Sequence, residues 1–226
     1  MSVSALWKGK LMNASLFLQR LAAKKFGRDI YIVTASNGKL EDYEPRAATL
    51  ELMSREIKQY NIEGSCAELG VYRGDFARLI NKFFPDRKLY LFDTFQGFDA
   101  RDSDIDKRSN FSEAQQNFSG TSVEFVLNRM PYKDNCIIKQ GWFPDTTEGI
   151  NDKFCFVSID ADLYQPTISG LEFFYPRLTH GGVIMIHDFN NNEYKGIRKA
   201  VKEFCDKNQI GYVCLTDHCG SVVITR

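Results

Sequence analysis

A glutamate and two glycines follow one apolar run in an arrangement that suits a nucleotide-like ligand. The segment CAELGVYRGDFAR, residues 66–78, carries Glu68, Gly70 and Gly74. Its pattern predicts a strand, a tight turn and the start of a helix. Glycine lets such a turn bring bare backbone close to a ligand that has a nucleoside or an anionic end. The spacing differs from the dinucleotide fingerprint GxGxxG, so a strand-to-helix turn without a ligand is the alternative interpretation.

A second group of chemically active side chains follows two later apolar runs. FVSIDADLY, residues 156–164, contains Asp160 and Asp162, and His187 and Asp188 follow a run at 182–186. If these runs are neighbouring parallel strands, their ends lie about 5 Å apart, and Asp160 and Asp188 can share a cation. Carboxylates suit magnesium or manganese, and an added imidazole also allows iron or zinc. The alternative is that the two aspartates are caps and that His187 is a packed histidine.

Two other strand ends carry side chains suited to a nucleoside. The apolar run LYLFDTF ends in Asp93, about 20 residues after the glycines, where an acidic residue holds ribose hydroxyls in nucleotide-binding folds. Gly141, Trp142 and Phe143 follow a further run, and this aromatic pair has two interpretations. Either the rings stack on a purine, or both fill the core beneath the loop.

Apolar runs alternate with helix-length segments over most of the chain. The predicted strands are 65–69, 88–93, 135–140, 154–160, 182–187, 211–215 and 220–225, and the predicted helices between them are 75–84, 121–130, 164–178 and 194–207. Near-continuous apolar strands separated by helices predict an α/β fold with a parallel sheet covered on both faces. The short spacing between the last two strands predicts an antiparallel hairpin at the C-terminal end of the sheet.

The remaining segments predict an extension before the sheet and a lid above it. Helical patterns at 1–26 and 45–60 flank a short strand-like run at 30–35. We therefore predict an N-terminal helical extension over 1–60, through which a homodimer can form, and a Rossmann-like domain over 61–226. The polar stretch 99–120 is predicted to be irregular, and so long a loop beside a ligand edge is typical of a lid.

Composition restricts the partners and the location. The 226 residues carry 29 basic and 29 acidic side chains, and 43% of them are hydrophobic. This balance indicates neither a nucleic acid nor a membrane surface as partner, and no apolar run approaches the roughly 20 residues of a membrane span. Because a signal peptide is not recognisable, a cytoplasmic location is the default expectation. The six cysteines include no CxxC pair, so we interpret them as reduced structural thiols.

The chain resembles the macrocin O-methyltransferase family, whose members methylate sugar hydroxyls on macrolide and aminocoumarin antibiotics. The resemblance extends over residues 65–190, and its pieces occur in the order of the family. They are AELGVYRGDFA at 67–77, LYLFDTFQGF at 89–98, FSGTSVEFV at 118–126, GWFPDT at 141–146, IDADLYQPT at 159–167 and LEFFYPRLTHGGVIMIHDF at 171–189. Each piece alone is unspecific, whereas all of them in order are hard to produce by accident.

The resemblance implies a class I Rossmann-like methyltransferase with S-adenosylmethionine as cofactor, a divalent metal, usually magnesium, and a small hydroxylated substrate, favoured to be a sugar. The implied cofactor-binding residues are Glu68, Gly70, Tyr72, Gly74, Asp93, Thr94, Gly141, Trp142 and Asp160. The resemblance implies Asp160 and Asp188 as metal ligands and Asp162 as the general base. The residues themselves add His187 as a third candidate metal ligand and a second candidate proton acceptor. Where this chain has His187-Asp188, the family usually has two aspartates, which leaves the identity of the metal and the need for it open.

Three other functions compete with this interpretation. A nicotinamide-dependent oxidoreductase also uses a glycine turn and an acidic strand end, but it is expected to show GxGxxG. A non-catalytic member of the family is expected to bind the cofactor without methylating an acceptor, and His187 is the residue that suggests it. The third alternative is a protein or nucleic-acid methyltransferase, and an RNA substrate would favour a basic surface, which the charge balance does not indicate.

Overall fold

The structure is a computed structural model, and it describes residues 45–217 and 219–226. The helix predicted at 1–26 and the strand predicted at 30–35 lie outside the described residues. Residues Pro45–Arg226 form one compact unit.

The described residues contain a seven-stranded sheet in the order β3-β2-β1-β4-β5-β7-β6. The strands are β1 (Ser65–Leu69), β2 (Leu89–Asp93), β3 (Cys136–Gln140), β4 (Phe154–Ile159), β5 (Leu178–Ile186), β6 (Val213–Cys214) and β7 (Val222–Thr225). Strands β1 to β5 pair in parallel, whereas β7 pairs antiparallel with both β5 and β6. This arrangement confirms the predicted Rossmann-like fold, its mostly parallel sheet and its antiparallel C-terminal hairpin.

Helices cover both faces of the sheet. They are α1 (Pro45–Gln59), α2 (Asp75–Phe83), α3 (Ala100–Arg108), α4 (Val123–Leu127), α5 (Tyr164–Phe174) and α6 (Lys195–Asn208), with 3-10 turns at Lys133–Asn135, Asp145–Thr147 and Tyr175–Arg177. One apolar cluster joins the sheet to α5 and α6, and a second joins its other face to α1 and α2. No described helix has both the length and the apolar character needed to cross a membrane.

The stretch 99–120 is not irregular throughout, because its first half is the helix α3. The Asp99 side chain accepts the backbone N–H of Arg101 at 2.9 Å and so begins the helix. The buried face of α3 carries Asp102, Ser103 and Asp106 instead of apolar residues. A helix that buries polar side chains lacks the apolar periodicity by which helices are found in a sequence, and the prediction was wrong here for that reason.

The order of the strands places β1 beside β4 at the centre of the sheet. Leu69 at the end of β1 pairs with Ile159 at the end of β4, and Ile159 pairs with Ile186 at the end of β5. The connections from β1 and β4 leave in opposite directions across the sheet, since β2 and β5 lie on opposite sides. Such a reversal opens a crevice at the carboxyl ends of the strands, where ligands bind in open α/β sheets. We call this edge the carboxyl edge.

Candidate active site at the carboxyl edge of the sheet

The turn between β1 and α2, residues 70–74, approaches the end of β4 very closely. We call it the glycine turn. Gly70 has a φ of +84°, and a Cβ placed on it would lie 2.0 Å from the backbone oxygen of Asp160. The backbone N–H of Asp160 in turn donates to the carbonyl of Leu69 at 2.8 Å. Gly70 therefore allows the glycine turn and the segment after β4 to form one continuous surface.

Asp93, at the end of β2, ties the glycine turn to the sheet. Its Oδ2 accepts the backbone N–H groups of Val71 at 2.7 Å and Tyr72 at 2.8 Å, and its Oδ1 accepts that of Phe95 at 2.6 Å. The sequence predicted a ribose-binding carboxylate and gave no indication of this backbone role. Because each carboxylate oxygen can accept two hydrogen bonds, Oδ1 keeps acceptor capacity for a further donor.

Glu68 is a buried carboxylate beneath the glycine turn and is 1% exposed. Its Oε1 accepts a long hydrogen bond from the Ser158 hydroxyl at 3.4 Å, while Oε2 has no hydrogen-bond partner among the described residues. Burial raises the pKa of Glu68 well above its ordinary value. A buried carboxylate oxygen without a donor is costly, and it marks a position where a ligand or a proton can supply the missing hydrogen bond.

Three aspartates meet next to the glycine turn, and we call them the acidic cluster. Asp160 and Asp162 follow β4, Asp188 follows β5, and each offers an oxygen within 4.8 Å of those of the other two. Asp162 and Asp188 have left-handed backbone conformations, with φ of 61° and 57°. Burial and the neighbouring carboxylates of Asp160 and Asp188 raise the pKa of Asp162 well above its ordinary value. The structure thus brings together the side chains that the sequence placed at the ends of these strands.

His187 lies within the acidic cluster as a cation. Its Nδ1 is 3.1 Å from Oδ1 of Asp160 and 3.1 Å from Oδ2 of Asp188, at angles that make neither contact a directed hydrogen bond. Burial lowers the pKa of His187, but the carboxylate of Asp160 and then that of Asp188 outweigh burial and raise the pKa to about 10. The imidazole is therefore protonated at neutral pH.

Arg46, on α1, is a site residue that the sequence did not reveal. Its Nη1 donates to Oδ2 of Asp160 at 2.9 Å and its Nη2 to the Ser158 hydroxyl at 3.1 Å. The guanidinium also lies 3.8 Å from the centroid of the Phe76 ring. Burial raises the pKa of Asp160, but Arg46 and then His187 hold it well below its ordinary range. Arg46 is only 5% exposed in the structure. The one sign of this in the sequence is that the arginine stands in the otherwise uncharged run PRAATL, residues 45–50.

Cys219, in the connection between β6 and β7, also reaches this region. Its Sγ lies within 4.8 Å of ligand atoms of both His187 and Asp188. Burial, followed by the contact with Asp188, raises the pKa of the Cys219 thiol to about 12. The sequence grouped this thiol with the structural cysteines, because its neighbours in space are distant in the chain. The adjacent His218 lies outside the described residues.

Trp142 and Phe143 have separate roles in the structure. Phe143 is buried in the apolar core, with its ring centroid 5.5 Å from that of Phe92. Trp142 is partly exposed; its Nε1 donates to Oδ2 of Asp102 at 3.0 Å, and the Arg101 guanidinium lies 3.9 Å from its ring centroid. Phe143 therefore fills the core, as one of the two interpretations predicted. Trp142, which follows β3 and is partly exposed, remains a candidate for binding adenine.

Gly141 and Thr94 complete the set of predicted cofactor residues. The backbone N–H of Gly141 donates to the carbonyl of Asp93 at 2.9 Å, so the end of β3 adjoins the end of β2. The Thr94 hydroxyl donates to the carbonyl of Gly97 at 2.6 Å, within its own loop. The structure brings Gly141 close to Asp93 and leaves Thr94 occupied in local hydrogen bonding.

Residues 109–122, which we call the strap, connect the two sides of the carboxyl edge. At one end the Phe111 ring lies 5.4 Å from that of Tyr164, at the start of α5. At the other end the Phe118 ring lies 5.1 Å from that of Tyr72 in the glycine turn, and the Thr121 hydroxyl donates to the Tyr72 carbonyl. The strap therefore contacts both the glycine turn and the helix that follows the acidic cluster.

The comparison with protein families identifies the family of this chain. The model of macrocin O-methyltransferase (TylF) matches residues 43–217, which is more than half of the chain. The chain belongs to the macrocin O-methyltransferase family. It is therefore an S-adenosylmethionine-dependent methyltransferase and not a nicotinamide-dependent oxidoreductase, which confirms the predicted family, activity and cofactor.

Curated relatives of this macrocin O-methyltransferase family member are also O-methyltransferases. Mycinamicin III 3''-O-methyltransferase of Micromonospora griseorubida is 29% identical over 201 residues, which cover 75% of each chain. The 8-demethyl-8-(2,3-dimethoxy-alpha-L-rhamnosyl)-tetracenomycin-C 4'-O-methyltransferase of Streptomyces olivaceus is 28% identical over 156 residues, covering 64% of this chain and 60% of that protein. Both similarities agree with the family assignment.

Solved structures show the same fold. The O-methyltransferase NovP superposes with a TM-score of 0.64 at 23% identity, over 88% of this chain and 85% of that one. The calicheamicin methyltransferase CalS11 superposes with a TM-score of 0.65 at 19% identity, over 80% of this chain and 78% of that one. At these identities the likeness concerns the fold, which is that of class I methyltransferases.

Two buried carboxyl groups on α3 make the stability of this family member depend on pH. Oδ2 of Asp106 accepts the backbone N–H of Tyr164 at 3.0 Å, whereas Oδ1 has no partner among the described residues. Burial raises the pKa of Asp106 from 3.8 to about 6, and burial also raises that of Asp102 to about 6. Below pH 3.8 both groups are neutral in the folded and unfolded chain, and the folded state carries no penalty from them. As the pH rises through about 6 they become charged in the folded protein, and the free energy of unfolding decreases.

We therefore expect Asp106→Asn to stabilise the protein at pH 7.5, because an amide oxygen can accept the same N–H without a buried charge. The gain is expected to be roughly 1–3 kcal/mol, at 1.36 kcal/mol per pKa unit, and to shrink as the pH falls towards 4. Denaturant unfolding at several pH values measures it. The exposed Asp104 on the same helix provides the control Asp104→Asn, and an Asp106→Asn effect that is independent of pH would contradict the argument.

Proposed function

We propose that this protein transfers a methyl group from S-adenosylmethionine to a hydroxyl oxygen of a sugar or glycosylated small molecule, with the assistance of a divalent metal. The curated relatives support the acceptor class, since the name of one specifies a rhamnosyl-bearing tetracenomycin. The single observation that carries the proposal is the contact between the glycine turn and the acidic cluster. At Gly70 the two lie so close that a Cβ would be 2.0 Å from the Asp160 carbonyl oxygen.

We assign the cofactor to the crevice around the glycine turn. The proposed binding residues are Glu68, Gly70, Tyr72, Gly74, Asp93, Thr94, Gly141, Trp142 and Asp160. The unpartnered Oε2 of Glu68 and the acceptor capacity left on Oδ1 of Asp93 support this assignment, because the cofactor carries amino and hydroxyl donors. When bound, S-adenosylmethionine supplies a methyl group on a sulfonium, which an oxygen nucleophile displaces in line.

The acidic cluster has the donor set that a divalent metal needs. Three carboxylates offer oxygens within 4.8 Å of one another, and burial followed by Asp160 and Asp188 raises the pKa of Asp162. We propose that Asp160 and Asp188 bind the metal and that His187 is a further ligand after losing its proton. A divalent ion bound there would lower the pKa of an acceptor hydroxyl and orient vicinal oxygens.

Asp162 is the residue we propose as general base. It lies within the acidic cluster beside the proposed metal ligands, and burial followed by the carboxylates of Asp160 and Asp188 raises its pKa, which favours proton uptake. His187 was the other candidate, but its imidazole is already protonated at neutral pH beside Asp160 and Asp188. In the arrangement proposed here His187 is a metal ligand once it has lost that proton, which leaves Asp162 as the residue next to the metal ligands that is free to act as the base.

Positioning falls to the sheet and to the strap. The pairing of β1, β4 and β5 fixes the ends of these strands relative to each other, so cofactor and acceptor would meet on rigid elements. A well-oriented nucleophile gains much of its rate from this placement. The strap, packed on Tyr72 and on Tyr164, would cover the reacting groups and exclude water.

The remaining sequence predictions stay proposals. They are the N-terminal extension at 1–60 with its dimer contact, the domain at 61–226, a cytoplasmic location and the absence of a nucleic-acid partner. Most of the extension lies outside the described residues.

A methyl-transfer assay with a matched pair of acceptors tests the proposed function. The protein is incubated with S-adenosylmethionine labelled in its methyl group, a divalent metal and either a set of glycosides or their sugar-free aglycones. We expect label in the glycosides, attached to a sugar oxygen by mass spectrometry. Label only in the aglycones would contradict the sugar assignment. Binding of S-adenosylhomocysteine without transfer to any glycoside or aglycone would contradict the proposed reaction.

A further inference from the structure

A histidine, an aspartate and a cysteine converge beside the proposed active site. His187 and Asp188 follow β5, and Cys219 lies in the connection between β6 and β7. Each of the three offers a ligand atom within 4.8 Å of those of the other two. Cys219 is the cysteine in the described part of the chain that shares such a group with a histidine and a carboxylate.

The fold holds Cys219 against the exit of β5 by several contacts. The backbone N–H of Asn190 donates to the carbonyl of Cys219 at 3.1 Å. Gly220 has a φ of +66°, and a Cβ placed on it would lie 2.5 Å from Nδ2 of Asn190, so a larger residue here would displace the Asn190 side chain. Asp217 fixes the loop from its other side, because its Oδ1 accepts the backbone N–H of Ser221 at 2.6 Å. The placement of Cys219 beside His187 and Asp188 is thus a built feature of the loop.

The chemistry of these three ligands differs from that of the acidic cluster alone. Magnesium binds oxygen ligands almost exclusively. An imidazole nitrogen, a carboxylate oxygen and a thiolate sulfur together form a donor set for zinc and similar transition metals. Asp188 belongs both to this group and to the acidic cluster. A carboxylate that would bind magnesium in the acidic cluster therefore also lies within 4.8 Å of the Cys219 sulfur.

We propose that His187, Asp188 and Cys219 bind a zinc-type transition-metal ion, and that Cys219 is a metal ligand of this protein. The inference rests on the proposed function, because it specifies the divalent metal of the same site. It replaces magnesium by an ion that accepts nitrogen and sulfur donors. It also gives a chemical reason for a histidine at a position where carboxylates alone would complete an oxygen site.

Cobalt(II) is the probe that tests this proposal, because Co²⁺ binds at zinc sites and its absorption spectrum shows whether a thiolate is a ligand. Titration of Co²⁺ into the full-length reduced protein is expected to produce the thiolate-to-cobalt charge-transfer absorption in the near ultraviolet, saturating at about one ion per chain. Cys219→Ser is expected to lose this absorption and to weaken zinc binding at least tenfold by calorimetry. Cys214→Ser, which removes an exposed cysteine outside the group, is expected to keep both.

A second variant keeps the proposal testable if Cys219→Ser fails to fold. His187→Asp leaves oxygen donors in place of the imidazole and is expected to shift preference from Co²⁺ towards Mg²⁺ in competition titrations. The proposal is overturned if wild-type protein binds Co²⁺ without thiolate absorption, if Cys219→Ser keeps the wild-type spectrum, or if Mg²⁺ at equal concentration displaces cobalt. Titration of S-adenosylhomocysteine into the same samples separates the two conclusions, because cofactor binding without a cobalt–thiolate signal overturns only the metal assignment.

Discussion

Replacing Asp162 by asparagine is expected to lower kcat by a factor on the order of 10² to 10⁴, the usual contribution of a positioned general base. Asparagine keeps the volume of the side chain and one oxygen, but it cannot accept the proton of the acceptor hydroxyl. The affinity for S-adenosylhomocysteine is expected to stay within about threefold of the wild-type value, because the role proposed for Asp162 is proton transfer. Steady-state kinetics and calorimetry on the same preparation measure the two quantities.

A carboxylate at the opposite edge of the sheet gives the matched control for this substitution. Asp134 is exposed and lies in the 3-10 turn just before β3, so Asp134→Asn is expected to leave both kcat and cofactor affinity unchanged. An Asp162→Asn enzyme with nearly wild-type kcat would remove Asp162 from the reaction. Equal losses of kcat and cofactor affinity would assign it a role in shaping the site instead of in proton transfer.

The largest loss of stability is expected from Gly70→Ala. The residue has a φ of +84°, and its new Cβ would lie 2.0 Å from the backbone oxygen of Asp160. The left-handed conformation costs about 1–2 kcal/mol for alanine, and forcing backbone apart in a packed region adds about 1–3 kcal/mol. We expect a decrease of about 3 kcal/mol or more in the free energy of unfolding, together with a loss of cofactor binding, because the glycine turn must move away from the acidic cluster.

Gly149 separates the effect of backbone conformation from that of close contact. Its φ is +75°, and nothing lies within 4 Å of a Cβ placed on it. Gly149→Ala is therefore expected to cost only the conformational part, about 1–2 kcal/mol, with unchanged cofactor affinity. Equal losses in the two variants by denaturant unfolding would show that the contact between the glycine turn and the end of β4 contributes nothing.

The sheet was predictable because its strands are buried on both faces. Runs such as FCFVSI at 154–159 are apolar without alternation, and the structure buries every residue of that strand. The ends of β4 and β5 could then be expected to adjoin, so the sequence pattern alone predicts that Asp160 and Asp188 lie near each other. This contact between distant parts of the chain could be predicted because parallel strands align their ends at one edge of a sheet.

Other parts of the site could not be read from the chain. The helix α3 faces the core with Asp102 and Asp106, so it carries no apolar stripe. Arg46 reaches Asp160 from a helix 114 positions earlier, and no spacing rule connects the two. Cys219 joins His187 only through the antiparallel return of β7 against β5. These contacts depend on tertiary packing, which local patterns do not encode.

The electrostatics of the site follow from these long-range contacts. Three carboxylates share a small volume, and the chain supplies two cations, Arg46 and His187, against Asp160. These two cations offset the repulsion between the partly buried carboxylates when no metal is bound. This arrangement also predicts competition, since an incoming metal must replace the imidazolium proton and share Asp160 with the guanidinium.

Calorimetric titration of S-adenosylhomocysteine tests the central claim, which is that the glycine turn and Asp93 hold the cofactor beside the acidic cluster. The wild type is predicted to bind. Asp93→Ala is predicted to bind about 10- to 100-fold more weakly, because a hydrogen bond to a charged group contributes about 1.5–3 kcal/mol. Asp134→Asn is predicted to match the wild type. Wild-type affinity in a folded Asp93→Ala variant, or no binding by folded wild-type protein, would contradict the claim.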